Sequence, residues 1–152
     1  MEIIDRDCLP YSEIRCGFAS AMGFYCAEVG KDREKAAEWI ALARLIGERI
    51  YPSGLDFIDN CIIPPAIMYL DLEDYSASES MLREGIRICE SHPDLIAYTR
   101  KKHDLHRCLL DVLLFDKDYP RAGALLQTLD EGVSQGFPDT VPPEVRSFLE
   151  DR

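Results

Sequence analysis

The chain has 152 residues, enough for one domain of ordinary size, with 47% hydrophobic and 30% charged residues. That balance lets it bury a core and remain soluble. Acidic residues outnumber basic ones 28 to 17, for a net charge of −11, which argues against a nucleic-acid footprint or an anionic membrane surface and favours, if any charged partner, a basic one.

Helical periodicity dominates from the start. Residues 12 to 29 carry Ile14, Phe18, Ala21, Met22, Tyr25 and Val29 at helical spacing and end at Gly30. From 33 to 50, Ala36, Ile40, Ala43, Gly47 and Ile50 recur at steps of four and three, with Trp39, Leu42 and Ile46 beside them, forming one wide apolar stripe. Asp32 is the candidate N-cap, and Pro52-Ser53-Gly54 the stop. Residues 55 to 72 also read as helix, but Pro64-Pro65 lies inside; the prolines predict either a short helix followed by another from Pro65, or one bent helix. A helix from about Ser76 to Cys89 is broken by His92-Pro93-Asp94, and the next runs from about Leu95 to Phe115. Pro120 suits the first turn of a further helix ending near Gly136-Phe137-Pro138, and a short one follows Pro142-Pro143. No run alternates in the manner of a strand, so no sheet is predicted.

The chain repeats itself. Three turns resemble one another around Asp32, Asp74 and Asp118, at steps of 42 and 44 residues. A small residue follows each aspartate by four (Ala36, Ser78, Ala122) and a larger apolar one by eight (Ile40, Leu82, Leu126). Eleven residues on, the first two units have Ala43 and Gly85, and the third has Leu129. Each unit reads as a helical hairpin with one apolar face that cannot be buried alone, so neighbours must stack. At Ala66-Ile67-Met68-Tyr69-Leu70-Asp71-Leu72-Glu73-Asp74-Tyr75, followed by Ser78, Leu82 and Gly85, the chain resembles the tetratricopeptide repeat (TPR) family in a long-period variant; Ala66 and Tyr69 match its small and aromatic positions, and Asp74-Tyr75 its turn. The resemblance covers roughly residues 15 to 136; the family's early tryptophan is absent, and its closing proline is displaced to Pro93. It implies an all-α fold with three antiparallel helical hairpins, about 12–50, 55–92 and 94–136. They would stack as a short right-handed superhelix in a single domain, with a C-terminal capping helix at 142–150.

The resemblance also implies a scaffold that binds a protein or peptide segment in a concave groove lined by the first helix of each unit. Mapping from the three aspartates gives Phe18, Ala21, Tyr25 and Glu28; then Asn60, Ile63, Ile67 and Leu70; then Asp104, Arg107, Asp111 and Leu114. Packing between helices is the competing role, and the favoured one for Ile63, Ile67, Leu70 and Leu114. The family's clamp for a C-terminal carboxylate is not expected, because Ala21, Tyr25, Pro64, Asp104 and Cys108 supply no charged donors. The middle unit is acidic: residues 51 to 82 hold Asp56, Asp59, Asp71, Glu73, Asp74 and Glu79 but no Lys or Arg. Arg100, Lys101, Lys102 and Arg107 form a basic stretch with little aromatic interleaving.

Cys89-x-x-His92 and His103-x-x-His106 are weak zinc candidates, since the break at His92-Pro93 separates them along the chain. There is no phosphate-cradling glycine loop, nucleophile elbow or His-Glu-x-x-His, so neither catalysis nor a cofactor is expected. The alternative is a sensory or regulatory helical domain that binds a small ligand or zinc and signals through oligomerisation; a homodimer suits either reading. No apolar run reaches the roughly 18 residues of a membrane span, and Met1-Glu2-Ile3-Ile4-Asp5-Arg6-Asp7 lacks the order of a signal peptide. Cys8, Cys16, Cys26, Cys61, Cys89 and Cys108 are therefore expected to be reduced thiols in a cytoplasm.

Overall fold

In a computed structural model, residues 11–133 are described; the expected capping helix at 142–150 lies outside them. Every regular element among these residues is helical: α1 Glu13–Glu28, α2 Arg33–Ile50, α3 Leu55–Phe57, a π-helical turn Ile58–Ile62, α4 Ile63–Asp71, α5 Tyr75–Glu90, α6 Ile96–Phe115 and α7 Tyr119–Val133. None is long and apolar enough to cross a membrane.

The three repeated turns share one local construction. Lys31, Glu73 and Lys117 each adopt a positive φ (47°, 57° and 61°), the left-handed conformation that reverses a chain after a helix. Each precedes an aspartate whose Oδ1 accepts the backbone N–H three residues on: Asp32 from Lys35 at 3.1 Å, Asp74 from Ala77 at 3.2 Å, Asp118 from Arg121 at 3.3 Å. The aspartate N–H groups in turn donate to Cys26, Tyr69 and Leu113 of the preceding helix. Such caps satisfy helix-end groups that water or nothing would otherwise meet. At the other helix starts, Ser12 accepts from the Arg15 N–H ahead of α1, whereas Leu95 begins α6 without a side-chain cap.

Pro64 and Pro65 occupy the first turn of α4. They have no N–H for the carbonyls four residues back, and their rings crowd those carbonyls. The chain widens just before them into the π-turn, where the Ile63 N–H reaches Ile58 O. The helical run from Leu55 to Asp71 is therefore interrupted by the π-turn at 58–62 and not at the prolines themselves.

Consecutive long helices pack together, and α1 also packs on α4. In the α1–α2 pair, the Cys16 thiol donates to Ala43 O at 3.4 Å and Gly23 faces Ile40, so the two run antiparallel. Ser78, fully buried, donates to Ala66 O at 2.7 Å and joins α5 to α4. Two glycines on second helices mark where elements converge. A Cβ at Gly47 would lie 2.3 Å from Cys61 Sγ and 3.6 Å from Cys16 Sγ; one at Gly85 would lie 3.0 Å from Leu105 and 3.1 Å from Ile62. The absence of a side chain lets three elements meet over each glycine. The nine positions aligned after the aspartates (Ala36, Ser78, Ala122; Ile40, Leu82, Leu126; Ala43, Gly85, Leu129) are all buried. Within the apolar stripe expected for α2, Ile46 is buried, whereas Leu42 is exposed and Trp39 half-buried.

Candidate functional site

The first helices α1, α4 with the π-turn before it, and α6 bury matching faces. Ala19, Cys61 and Leu105 correspond under the aspartate alignment, as do Gly23, Pro65 and Leu109, and Cys26, Met68 and Val112; all nine are buried. The mapped groove positions lie on the opposite sides. Phe18, Ala21, Tyr25, Glu28, Asn60, Ile67, Asp104, Arg107 and Asp111 are exposed, and Ile63, Leu70 and Leu114 are half-buried against the core. The packing role favoured for the four aliphatic positions therefore fails for Ile67, which is 42% exposed. At about 100° per residue, Ile67 points away from Pro65, Ala66 and Met68, which carry the buried face of α4. Partial desolvation raises the pKa of the Asp111 carboxyl, a shift that Arg107 partly opposes.

The acidic middle unit is partly answered by its neighbours. Lys101 of α6 pairs with Asp59 at 2.6 Å, Arg44 of α2 with Glu84 at 2.7 Å, and Arg121 of α7 with Glu79. These ion pairs are solvent-accessible and each contributes little on its own, but all three link elements that are not consecutive in the chain. Asp74 is occupied as a cap, leaving Asp56 and Glu73 as exposed acids of that unit without an ion pair among the described residues. Asp71 Oδ2 is buried with no hydrogen-bond partner among them.

Among the described residues, no three His, Cys, Asp or Glu side chains are grouped to hold a metal ion. Cys89 is buried in the core, and burial raises its pKa. His92 is exposed and stacks on Tyr98, with ring centroids 4.3 Å apart. His106, in contrast, lines a cavity of about 470 Å³ with Ser80, Arg83, Ile86, Arg87 and Glu90. Burial lowers the His106 pKa, helped by Lys102, so the ring is neutral near pH 7. The positive charge of that cavity comes from Arg83, which is paired with Glu79, and from Arg87. Sequence reasoning missed this cluster; the available signal was Ser80, Arg83 and Arg87 recurring at helical spacing in an acidic chain.

The described cysteines Cys16, Cys26, Cys61, Cys89 and Cys108 are all free. Burial pushes the Cys61 thiol up to about 11, with nearby Cys16 adding to it. Thiols so held carry almost no thiolate at neutral pH and pack as small hydrophobes. Searches for known relatives matched no family model, no curated protein and no solved structure.

Proposed function

We propose that this chain is a non-catalytic binding scaffold of the TPR-like kind. Its three hairpins would stack so that α1, α4 and α6 line a trough for an extended or amphipathic segment of a partner protein. The observation that carries this reading is the match between the three first helices: equivalent faces are buried and equivalent faces are open. Apolar Tyr25 and Ile67 stand on the open side, 58% and 42% exposed. Apart from Glu28 and Asn60, the surface grades from apolar on α1 and α4 (Phe18, Tyr25, Ile63, Ile67) to charged on α6 (Asp104, Arg107, Asp111). Such a surface suits a segment with apolar anchors at one end and charged groups at the other. Display of a random peptide library against the full chain tests this directly. Selected peptides should lose affinity about tenfold or more when Tyr25 and Arg107 are both changed to Ala. Failure to enrich any peptide, or peptides indifferent to that double substitution, would sink the trough.

A second reading is favoured by the cavity at His106: a small anion held by Arg83, Arg87 and Ser80 and sensed through α5 and α6. Titration with inorganic phosphate, followed by NMR of the His106 ring, tests it; a ring signal that does not move up to millimolar phosphate removes this alternative.

A further inference from the structure

From the open end of the first hairpin we infer an interaction surface that adjoins the trough at Phe18, whose occupant is a second copy of this chain. The internal alignment identifies what the surface is for. Trp39, Leu42 and Leu45 of α2 correspond to Met81, Glu84 and Arg87 of α5. In α5, Met81 and Glu84 are the side chains that meet the preceding hairpin: Arg44 of α2 reaches the Met81 sulfur at 3.0 Å and Glu84 Oε1 at 2.7 Å. In α2 the same positions face the place where a preceding hairpin would stand, and among the described residues there is none. That side is apolar where α5 is charged. Leu42 is 37% and Leu45 51% exposed. Trp39 is half-buried and takes Phe18 of α1 edge-on, with ring centroids 5.8 Å apart. Farther along the pair, the Arg49 guanidinium lies over the Tyr11 ring at 5.4 Å, and Ile14, one turn before Phe18 on α1, is exposed.

Three features select a second copy as the occupant. The first is shape: the position is one that a helical hairpin covers elsewhere in the same chain, and another copy brings the identical open hairpin, which permits a two-fold, self-complementary contact. The second is area. With whole side chains of roughly 150–250 Å², the exposed fractions of these residues give about 500 Å² of apolar surface per copy. That is close to the apolar share of an ordinary interface of about 800 Å² per partner. The third is charge. A chain of net charge −11 repels its own copies over most of its surface, yet this face presents Tyr11, Ile14, Phe18, Trp39, Leu42 and Leu45, and the exposed charges one turn to either side of the α2 leucines, Glu38 and Arg49, are of opposite sign.

The test uses the full chain and its single tryptophan, which sits on the face in question. Sedimentation equilibrium from about 1 to 100 µM should show a monomer–dimer equilibrium, and Trp39 emission should shift to the blue as the dimer forms. The pair Leu42→Glu and Leu45→Glu should weaken dimerisation about 100-fold and abolish the concentration-dependent shift. Charge at these helix positions is compatible with folding, because α5 carries Glu84 and Arg87 at the same places; an unchanged circular dichroism spectrum checks this. Leu95→Glu with Ile96→Glu, an exposed apolar pair at the start of α6, should leave the dimer intact. A wild-type monomer throughout that range overturns the proposal, whether residues outside 11–133 or a different protein cover the face. So does a dimer that survives the α2 substitutions. Neither result touches the trough, whose test substitutions lie on α1 and α6.

Discussion

Gly47→Ala offers the sharpest test of how the helices converge. The new Cβ would sit 2.3 Å from Cys61 Sγ, over 1 Å inside ordinary contact, and 3.6 Å from Cys16 Sγ. Cys61 is 1% exposed, its neighbours Ile58 and Ile62 are fully buried, and a thiol on one rotatable bond has little room to retreat. Overpacking of this kind costs about 1–3 kcal/mol. Replacing glycine in a helix interior returns about 1 kcal/mol, so the net loss should be about 0–2 kcal/mol, or a fall in Tm of up to several degrees for a chain this long. Gly17→Ala is the matched control: nothing lies within 4 Å of the place its Cβ would take, so the propensity gain of about 0.5–1 kcal/mol should appear unopposed. Urea unfolding followed by circular dichroism measures both. Adding Cys61→Ala to Gly47→Ala should relieve the clash, with a coupling energy of about 1 kcal/mol or more. A Gly47→Ala protein that gains stability as Gly17→Ala does, or additive effects in the double variant, would refute the convergence of α1, α2 and the π-turn over this glycine.

Other outcomes follow from the same geometry. Asp74→Ala, which removes the cap on α5, should cost about 1 kcal/mol by urea midpoint, and Asp74→Asn much less; equal losses would mean that the hydrogen bond to Ala77 is not what matters. Because burial lowers the His106 pKa, the unfolded chain binds that proton first as pH falls. Its stabilising contribution is complete above the unfolded value of about 6.5 and is lost as pH falls through the lower folded value. His106→Gln should therefore flatten the decline in urea midpoint between about pH 7 and 5, and an unaltered slope would contradict the burial. Among the described thiols, half-buried Cys108 should react first with a chromogenic disulfide reagent at neutral pH, and Cys61, raised to about 11, should react only on unfolding. Mass spectrometry of the labelled sites distinguishes the two.

Much of the fold was legible because its signals are local. An aspartate before each second helix, a small residue four later and a large one eight later specify a cap and a buried stripe whatever surrounds them. The three turns were recognisable for that reason, and their left-handed residues follow although none of Lys31, Glu73 and Lys117 is glycine. That the prolines disturb the helix was readable as a consequence of missing N–H groups, but that the disturbance is a π-turn at 58–62 was not. What escaped the sequence is what depends on neighbours. Periodicity assigns Leu42 and Trp39 to an apolar stripe, yet cannot say that Leu42 is exposed and Trp39 only half-buried among the described residues. Ile67 reads as core by composition and is placed outside by the phase of Pro65, Ala66 and Met68. The cavity at His106 arises only when the Ser80–Arg83–Arg87 row of α5 meets α6.

The three aspartate turns carry a consequence for how the molecule assembles. Each closes a hairpin over a few residues, so the chain entropy surrendered in forming one pair is small and does not depend on the others. The named contacts that join different hairpins span no more than about 45 residues of sequence, which is the topology of a rapid folder. In the stacked arrangement proposed above, nucleation at any of the three reversals would leave the remaining pairs to add by docking onto an edge already formed. The order of assembly is then set by whichever hairpin is locally the most stable, not by its position along the chain.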